Sequence, residues 1–269
     1  MTQNSVLSTH SLVQIKYKII NTGFLLSSTL SDILSLSITP RNANNILVVS
    51  GFSQSRSGSS NTTITLFLDR DGVINKFPGN GKYVTKLKEF SFVPGSLDAL
   101  RILTQEGYSI FIISNQAGIA KGVYSMQKLE HINRKMLTSV KAMGGRIKKT
   151  FYCTHFSHAG CECRKPEIGS IRKALESMNK TIRSAQKAFF VGDTESDILA
   201  GHNAGCTTIF VLSGCEDRRH MRGWEIKPDF IATDLLEATD IINERNLARS
   251  RQRKRRILRV KSARKRITQ

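Results

Sequence analysis

The chain reads Phe67-Leu68-Asp69-Arg70-Asp71-Gly72-Val73 at the end of an apolar run, residues 64–68, that predicts a buried strand. Asp69 and Asp71 stand two residues apart where that strand ends, so an extended backbone projects both carboxylates to the same side. Gly72 then allows the chain to turn away at once. Two carboxylates crowded at the carboxyl end of a strand indicate a site at which a cation or a reaction requires them.

Outward from this strand, apolar runs and helical patterns alternate along the chain, and Asp234 is expected to cap a final helix. This order predicts an α/β fold with a parallel sheet and helices on both faces. Ligands bind beyond the carboxyl ends of the strands in such a sheet. Further strands are predicted at residues 109–113, 148–152, 188–191, 207–212 and 230–231, and helices at 126–142, 168–178 and 195–204.

Composition divides the 269 residues into three parts. Residues 1–63 are rich in Ser, Thr and Asn with short alternating runs, which predicts a small β-rich segment that ends in a Ser/Gly linker. Residues 64–244 form the predicted α/β domain. Residues 245–269 carry 12 of the 41 Lys and Arg and no acid, so much of the net charge of +20 belongs to this basic tail.

Two interpretations of the basic tail stay open. A disordered, solvated segment is the one that we favour from the charge run alone. The other is contact with nucleic acid or another polyanion through phosphate charge. The tail contains no aromatic side chain that could stack on bases.

The cysteine pattern predicts a reducing compartment. Three of the five cysteines fall within residues 153–163, and the odd number does not fit a secreted disulfide framework. No run approaches the roughly 18 apolar residues of a membrane span. We therefore expect a cytoplasmic protein without membrane contact.

Three further polar motifs follow predicted strands. Ser114-Asn115-Gln116-Ala117-Gly118 offers a hydroxyl, two amides and a glycine turn, which suit a phosphate. Arg164-Lys165-Pro166 places cations just before a predicted helix. Asp193 stands at the end of the fourth strand, and Asp197 stands one helical turn further on.

Taken in order, Asp69, Asp71, Ser114, Lys165, Asp193 and Asp197 resemble the four motifs of the haloacid dehalogenase (HAD) superfamily. The fuller strings at residues 67–75, 92–95, 114–122 and 153–166 resemble the group of heptose-bisphosphate and histidinol-phosphate phosphatases within it. The resemblance covers roughly residues 64–242. It implies a Rossmann-like HAD fold without a large cap domain, in which residues 72–92 form a small flap over the site.

The resemblance also implies a role for each motif residue. Asp69 would be the nucleophile that forms an aspartyl-phosphate, and Asp71 would be the general acid and base. Ser114 and Lys165 would hold the transferring phosphoryl group. A Mg²⁺ would be held by Asp69, the Asp71 carbonyl and Asp193, and Asp197 would have a supporting role. The substrate contacts would be Asn115, Lys121 and Arg164.

Four residues of the segment before Lys165 have the spacing of a zinc site. Three thiolates and one imidazole satisfy a tetrahedral Zn²⁺ with no open position, so the site would be structural. The family resemblance includes such a loop, which would stiffen the segment that carries Arg164 and Lys165. The ligands would be Cys153, His155, Cys161 and Cys163.

The resemblance therefore implies a Mg²⁺-dependent phosphatase that hydrolyses a sugar phosphate or bisphosphate, with heptose 1,7-bisphosphate as the expected substrate. Histidinol phosphate is the nearest alternative, and a nucleic-acid 3′-phosphate is a third. A polyanion-binding or particle-associated protein without enzymatic activity is the alternative from a different class. The complete set of acids argues against it.

Overall fold

A computed structural model describes residues 63–267 of the chain, with side chains up to residue 258. The predicted β-rich segment and linker over residues 1–63 therefore lie outside the described residues, apart from the last one. Six strands form within the described part: β1 Thr65–Leu68, β2 Ser109–Asn115, β3 Ile147–Cys153, β4 Phe189–Gly192, β5 Thr207–Val211 and β6 Phe230–Ala232.

The six strands form one parallel sheet in the order β3-β2-β1-β4-β5-β6. Every residue of β1 and β4 is buried, as expected for central strands that are covered on both faces. Strand β3 lies at one edge and exposes Lys148 and Lys149. The predicted parallel sheet is confirmed.

Helices cover both faces of the sheet, and the two largest clusters of buried apolar residues lie on opposite faces. Successive strand residues point to opposite faces, so Leu66 and Leu68 belong to one core and Phe67 to the other. The helices are α1 Ser96–Gln105, α2 Met126–Ala142, α3 Gly169–Glu176, α4 Glu195–Ala204, α5 Arg218–Arg222 and α6 Leu235–Ile267, with short 3₁₀ segments at Leu87–Glu89 and Ile182–Lys187. Helices α1, α2 and α6 pack on the first face, and α3 and α4 pack on the second.

The connection between β1 and β2 carries the predicted flap. Its base is closed by an antiparallel bridge between Asn75 and Phe92, beside which the Lys76 amide donates to the Ser91 carbonyl at 2.8 Å. Within residues 63–267, the connections between strands contain no inserted domain.

Helix α6 begins where the sequence predicts a final helix and continues through the basic tail. Asp234 Oδ1 accepts hydrogen bonds from the amides of Leu236 and Glu237, at 2.8 and 3.1 Å, and so caps the helix. The helix then continues without a break to Ile267. The prediction of a disordered basic tail is wrong, because arginine and lysine propagate a helix readily once a packed first turn has nucleated it.

No helix between residues 63 and 267 combines the length and the apolar character that a bilayer crossing requires.

Candidate active site

The strand ends bring the predicted catalytic residues together at the carboxyl edge of the sheet. Asp69 directly follows β1, Ser114 is the second-last residue of β2, and Asp193 directly follows β4. Lys165 arrives from the long loop after β3. All four side chains are buried, and the carboxyl ends of neighbouring parallel strands place them side by side.

Lys165 is the centre of the arrangement. Its Nζ donates to Asp69 Oδ1 at 2.7 Å and to the Ile113 carbonyl at 2.9 Å, and it forms an ion pair with Asp197 Oδ1 at 2.5 Å. Burial alone would lower the pKa of this amine, but the two carboxylates outweigh burial and raise the pKa above its ordinary value. The ammonium group is therefore fixed and charged.

The carboxylates outnumber this cation. Burial raises the pKa of Asp69 to about 6, against the opposing effect of Lys165. Burial, together with the charges of Asp197 and Asp69, also raises the pKa of Asp193 well above its usual range. The oxygens of Asp69, Asp193 and Asp197 lie within 4.8 Å of one another. After Lys165 is counted, the described side chains therefore leave an excess of carboxylates at this site.

Asp193 has the surroundings of a cation ligand. Its Oδ2 accepts a hydrogen bond from the Cys215 amide at 2.6 Å, while its buried Oδ1 has no hydrogen-bond partner. Two glycines pack against the carboxylate, since a Cβ on Gly72 or Gly214 would lie 2.1 or 2.0 Å from Asp193 Oδ2. An unpartnered buried oxygen among surplus carboxylates is chemistry that a divalent, oxygen-seeking ion such as Mg²⁺ fits.

Asp197 is held rigidly by the start of α4. Its Oδ2 accepts from the amides of Asp193 and Thr194 at 3.2 and 3.1 Å, and from the Thr194 hydroxyl at 2.7 Å. These bonds leave Oδ1 to face Lys165. Asp197 thus contacts the lysine, as its predicted supporting role requires.

Asp71 is surrounded by donors. Its carboxylate accepts hydrogen bonds from the Arg70 guanidinium, at distances down to 2.8 Å, and from Asn75 Nδ2 and Gln116 Nε2, each at 2.8 Å. Burial alone would raise the pKa of Asp71, but Arg70 and the two amides lower it overall. The Tyr124 hydroxyl in turn donates to Gln116 Oε1.

The structure places the remaining predicted residues around this centre. The Asn115 side chain bonds the backbone of Lys165 in both directions, each at 3.1 Å, and so positions the lysine. Arg164 is half-buried beside Lys165, and one of its terminal nitrogens is buried without a partner. Lys121 is exposed, with its Nζ 5.8 Å from the centre of the Tyr83 ring of the flap. Ser114 accepts from Gln116 Nε2 at 3.2 Å.

The four predicted zinc ligands form one cluster. Neighbouring ligand atoms are 3.2–3.6 Å apart, and all four lie within 4.8 Å of one another. A tetrahedron with Zn–S bonds of about 2.3 Å has edges of this order. Donor set and spacing therefore fit a structural zinc, with ligand atoms on Cys153, His155, Cys161 and Cys163.

The same segment is tied to the helix that follows it. The Gly169 amide donates to the Glu162 carbonyl at 2.9 Å, and Ser170 Oγ donates to the Cys163 carbonyl at 2.9 Å. Asn115, the last residue of β2, bonds the Lys165 backbone. The lysine is therefore held both by the strand end and by the loop that the Gly169 and Ser170 bonds join to α3. The cluster thus lies in the segment that delivers Lys165 to the site.

Sequence reasoning missed the residues that surround Asp71. Arg70, Asn75 and Gln116 all lie inside the quoted motif strings, but their contact with one carboxylate arises only from the tertiary fold. Tyr124 carried no signal in the sequence. Its ring packs near Gly118, where an added Cβ would lie 2.5 Å from it.

Comparison with known proteins agrees with this geometry. Residues 162–238 match the family model described as HAD-hydrolase-like. The chain is 34% identical over 158 residues to the D-glycero-β-D-manno-heptose-1,7-bisphosphate 7-phosphatase of Pseudomonas putida. The aligned region covers 59% of this chain and 87% of that protein. It is 36% identical over 151 residues to the D-glycero-α-D-manno-heptose-1,7-bisphosphate 7-phosphatase of Campylobacter jejuni, with coverage of 56% and 83%.

A solved structure shares the fold. The D,D-heptose 1,7-bisphosphate phosphatase from B. bronchiseptica, complexed with magnesium and phosphate, superimposes with a TM-score of 0.62 at 29% identity. The match covers 68% of this chain and 99% of that one. From the motifs, the sheet order and these similarities together, the chain belongs to the HAD-like phosphatases, in the family of the heptose bisphosphate phosphatases.

Proposed function

We propose that this protein hydrolyses the 7-phosphate of D-glycero-D-manno-heptose 1,7-bisphosphate. One observation carries the chemistry: the Lys165 ammonium lies 2.7 Å from the buried Asp69 carboxylate, beside an Asp193 oxygen without a partner. The names of the relatives support the choice of substrate. A small phosphate ester is thus the expected ligand.

Asp69 is the proposed nucleophile. One of its oxygens forms a bond to phosphorus while the bond from phosphorus to the sugar oxygen breaks, which leaves an aspartyl-phosphate. Lys165 and Ser114 hold the phosphoryl oxygens, because the fixed ammonium and the hydroxyl lie at adjacent strand ends. A carboxylate approaches a phosphate dianion only where cations offset the repulsion.

Asp69, the Asp71 carbonyl and Asp193 are the proposed Mg²⁺ ligands. When bound, the ion would neutralise the surplus charge of the carboxylates and of the phosphoryl group. Asp197 keeps Lys165 in place through its ion pair.

Asp71 is the proposed general acid and base. It gives its proton to the sugar oxygen as that oxygen leaves, and it later takes a proton from the water that attacks phosphorus and releases Asp69. The contacts of Arg70, Asn75 and Gln116 favour the ionised form, which suits the second step. A phosphate dianion beside Asp71 raises its pKa by like-charge repulsion, which favours the proton needed in the first step.

The cysteine cluster is proposed to hold a structural zinc, and Arg164 to grip the distal end of the substrate. Arg164 lies with Lys165 along a cavity of about 260 Å³ that is lined by residues from the segment 157–167, before α3. A second phosphate held there positions the reacting one, which lowers the barrier. The cytoplasmic location stays a prediction from the cysteine pattern.

The test compares kcat/KM for heptose 1,7-bisphosphate, its monophosphate product, histidinol phosphate and a 3′-phosphorylated oligonucleotide. The bisphosphate should be the best substrate, and Arg164→Ala should reduce that preference more than it reduces hydrolysis of an aryl phosphate. Lys173→Ala, an exposed site on α3, is the matched control. A higher kcat/KM for histidinol phosphate or for the oligonucleotide would reassign the substrate.

The covalent step is tested with Asp69→Asn and Asp71→Asn. Asp69→Asn should abolish turnover, since an amide forms no acyl-phosphate. With an aryl phosphate, whose leaving group needs little acid, Asp71→Asn should release a burst of about one product per enzyme and then turn over slowly. Wild-type turnover by Asp69→Asn would exclude the aspartyl-phosphate.

A further inference from the structure

The distal part of α6, residues 250–267 and here called the basic helix, has no role in the chemistry above. It contains ten Lys or Arg and no acid. Every side chain from residue 251 to 258 is exposed, and five of the six residues from 251 to 256 are basic. At about 1.5 Å per residue the basic helix is about 27 Å long.

The base of this helix is fastened to the domain. The Arg249 guanidinium donates to Thr207 Oγ1 at 2.8 Å and lies 5.1 Å from the centre of the Phe189 ring. One helical turn earlier, the Arg245 guanidinium lies 4.8 Å from the centre of the Phe230 ring. The basic helix is therefore held in place by the turns before it.

These contacts place the root of the basic helix away from the active site. Phe189, Thr207 and Phe230 are the first residues of β4, β5 and β6, at the amino edge of the parallel sheet. Asp69 and Asp193 lie at the carboxyl edge. A ligand of the basic helix would leave the active site open.

The chemistry of the exposed side chains selects the partner. A helix that binds a membrane surface presents a continuous apolar face. At about 100° per residue, Arg253 and Arg264 fall between Ile257 and Val260 around this helix and interrupt such a face. Single strands are bound by aromatic stacking, and residues 245–269 contain no aromatic residue. Basic charge on all sides of a rod suits duplex phosphates, and the major groove of B-form DNA admits a helix.

We propose that the basic helix docks on double-stranded nucleic acid through its phosphate groups, at a site separate from the active site. Phosphate contacts fix position without reading sequence, so binding should be independent of sequence and steeply dependent on salt. The bound duplex is an anchor for the protein and is not its substrate.

The experiment measures binding of the full chain to a fluorescent DNA duplex by anisotropy over a series of salt concentrations. Arg253, Lys254, Arg255 and Arg256 are changed together to Gln, which keeps helix propensity. The matched control changes the same number of basic residues on α2, which are exposed on the domain surface: Lys128, Arg134, Lys135 and Lys141. Both variants carry the same net charge.

The helix variant should lose at least about tenfold in affinity, and its slope of log K against log salt should fall by roughly 3, since each phosphate contact contributes about 0.9. The α2 control should bind within about threefold of wild type. Equal losses in both variants would show a net-charge effect only and overturn the proposal. Tighter binding to a single strand, or to phosphatidylserine vesicles, would also overturn it.

A second measurement tests whether the duplex-binding site is separate from the active site. The DNA duplex should leave the hydrolysis of a small aryl phosphate unchanged, and the helix variant should keep the wild-type rate. Competitive inhibition by the duplex would contradict a separate site. Neither result depends on which sugar phosphate the active site prefers.

Discussion

At the scale of single residues, the active site is defined by an excess of buried negative charge. Lys165 is shared by two carboxylates, and Asp193 retains an oxygen without a partner. Burial, together with the neighbouring carboxylates, raises the pKa values of Asp69 and Asp193. Such buried acids are costly unless a cation joins them.

This excess predicts how pH acts on the metal-free protein. A carboxyl group whose pKa is higher in the folded state than in the unfolded state binds more protons when folded, so stability falls as pH rises. For Asp69 the window runs from its ordinary pKa of 3.8 to about 6, and Asp193, whose pKa burial also raises, acts in the same direction. The contribution of Asp69 should therefore lower the melting temperature of the metal-free protein as pH rises from about 4 to about 6.

Asp193→Asn should remove part of that effect. The metal-free variant should melt higher than wild type at neutral pH, by roughly 2–4 °C for each kcal/mol of repulsion relieved. Mg²⁺ should raise the melting temperature of wild type and raise that of the variant much less. Asp98→Asn, at an exposed site on α1, is the control and should behave as wild type. An Asp193→Asn variant with an unchanged response to Mg²⁺ would exclude Asp193 as a ligand.

At the scale of elements, apolar pattern predicted the strands to within two residues at either end. Helices at 126–142 and 195–204 match α2 and α4 in full. Helix α1 was missed although Ser96, Ala99, Leu100 and Leu103, its buried residues, have helical spacing. The donors around Asp71 could not be predicted, because their convergence depends on how the strand ends are juxtaposed.

The helical state of the basic part of α6 was not predicted from its sequence. A run of like charges with little apolar periodicity is typical of a solvated segment, although Arg and Lys are good helix formers. Its helical state depends on the preceding turns, in which Leu235, Ala238 and Ile242 are fully buried against the sheet. Tertiary packing there nucleates a helix that good helix formers then extend.

The zinc loop gives a prediction for one element. Cys161→Ser should lose the bound zinc and loosen the segment that delivers Lys165, so phosphatase activity should fall although residue 161 contacts no catalytic group. Metal analysis of chelator-free protein should give about one Zn²⁺ per wild-type chain and none per variant chain. Cys206→Ser is the matched control, since Cys206 is buried outside the cluster. Unchanged zinc content in Cys161→Ser would exclude the cluster.

At the scale of the whole domain, the two proposed sites are associated with opposite edges of the sheet. The carboxyl edge holds the reaction, as expected where several strand ends meet. The amino edge fastens the root of the basic helix through Arg245 and Arg249. We therefore propose that the catalytic domain extends to about residue 250, several residues beyond the composition change at 245.

Two truncations test where the catalytic domain ends. A chain that stops after Ser250 keeps the contacts of Arg249 with Thr207 and Phe189, so its melting temperature and its kcat/KM for a small phosphate ester should match those of the full chain. A chain that stops after Ile242 loses these contacts and the 3.1 Å hydrogen bond from Tyr108 to Asn243. It should be less stable by about 2–4 kcal/mol, from hydrogen bonds and cation–π contacts of about 1 kcal/mol each.

Denaturant unfolding and steady-state kinetics on the same preparations separate the two outcomes. The chain ending at Ser250 should lose salt-sensitive retention on duplex DNA while its catalysis is unchanged. The chain ending at Ile242 should unfold earlier with an active site that is intact while folded, because Asp69, Lys165 and Asp193 lie at the other edge of the sheet. Loss of small-substrate activity on removal of residues 251–269 alone would show that the basic helix belongs to the catalytic fold.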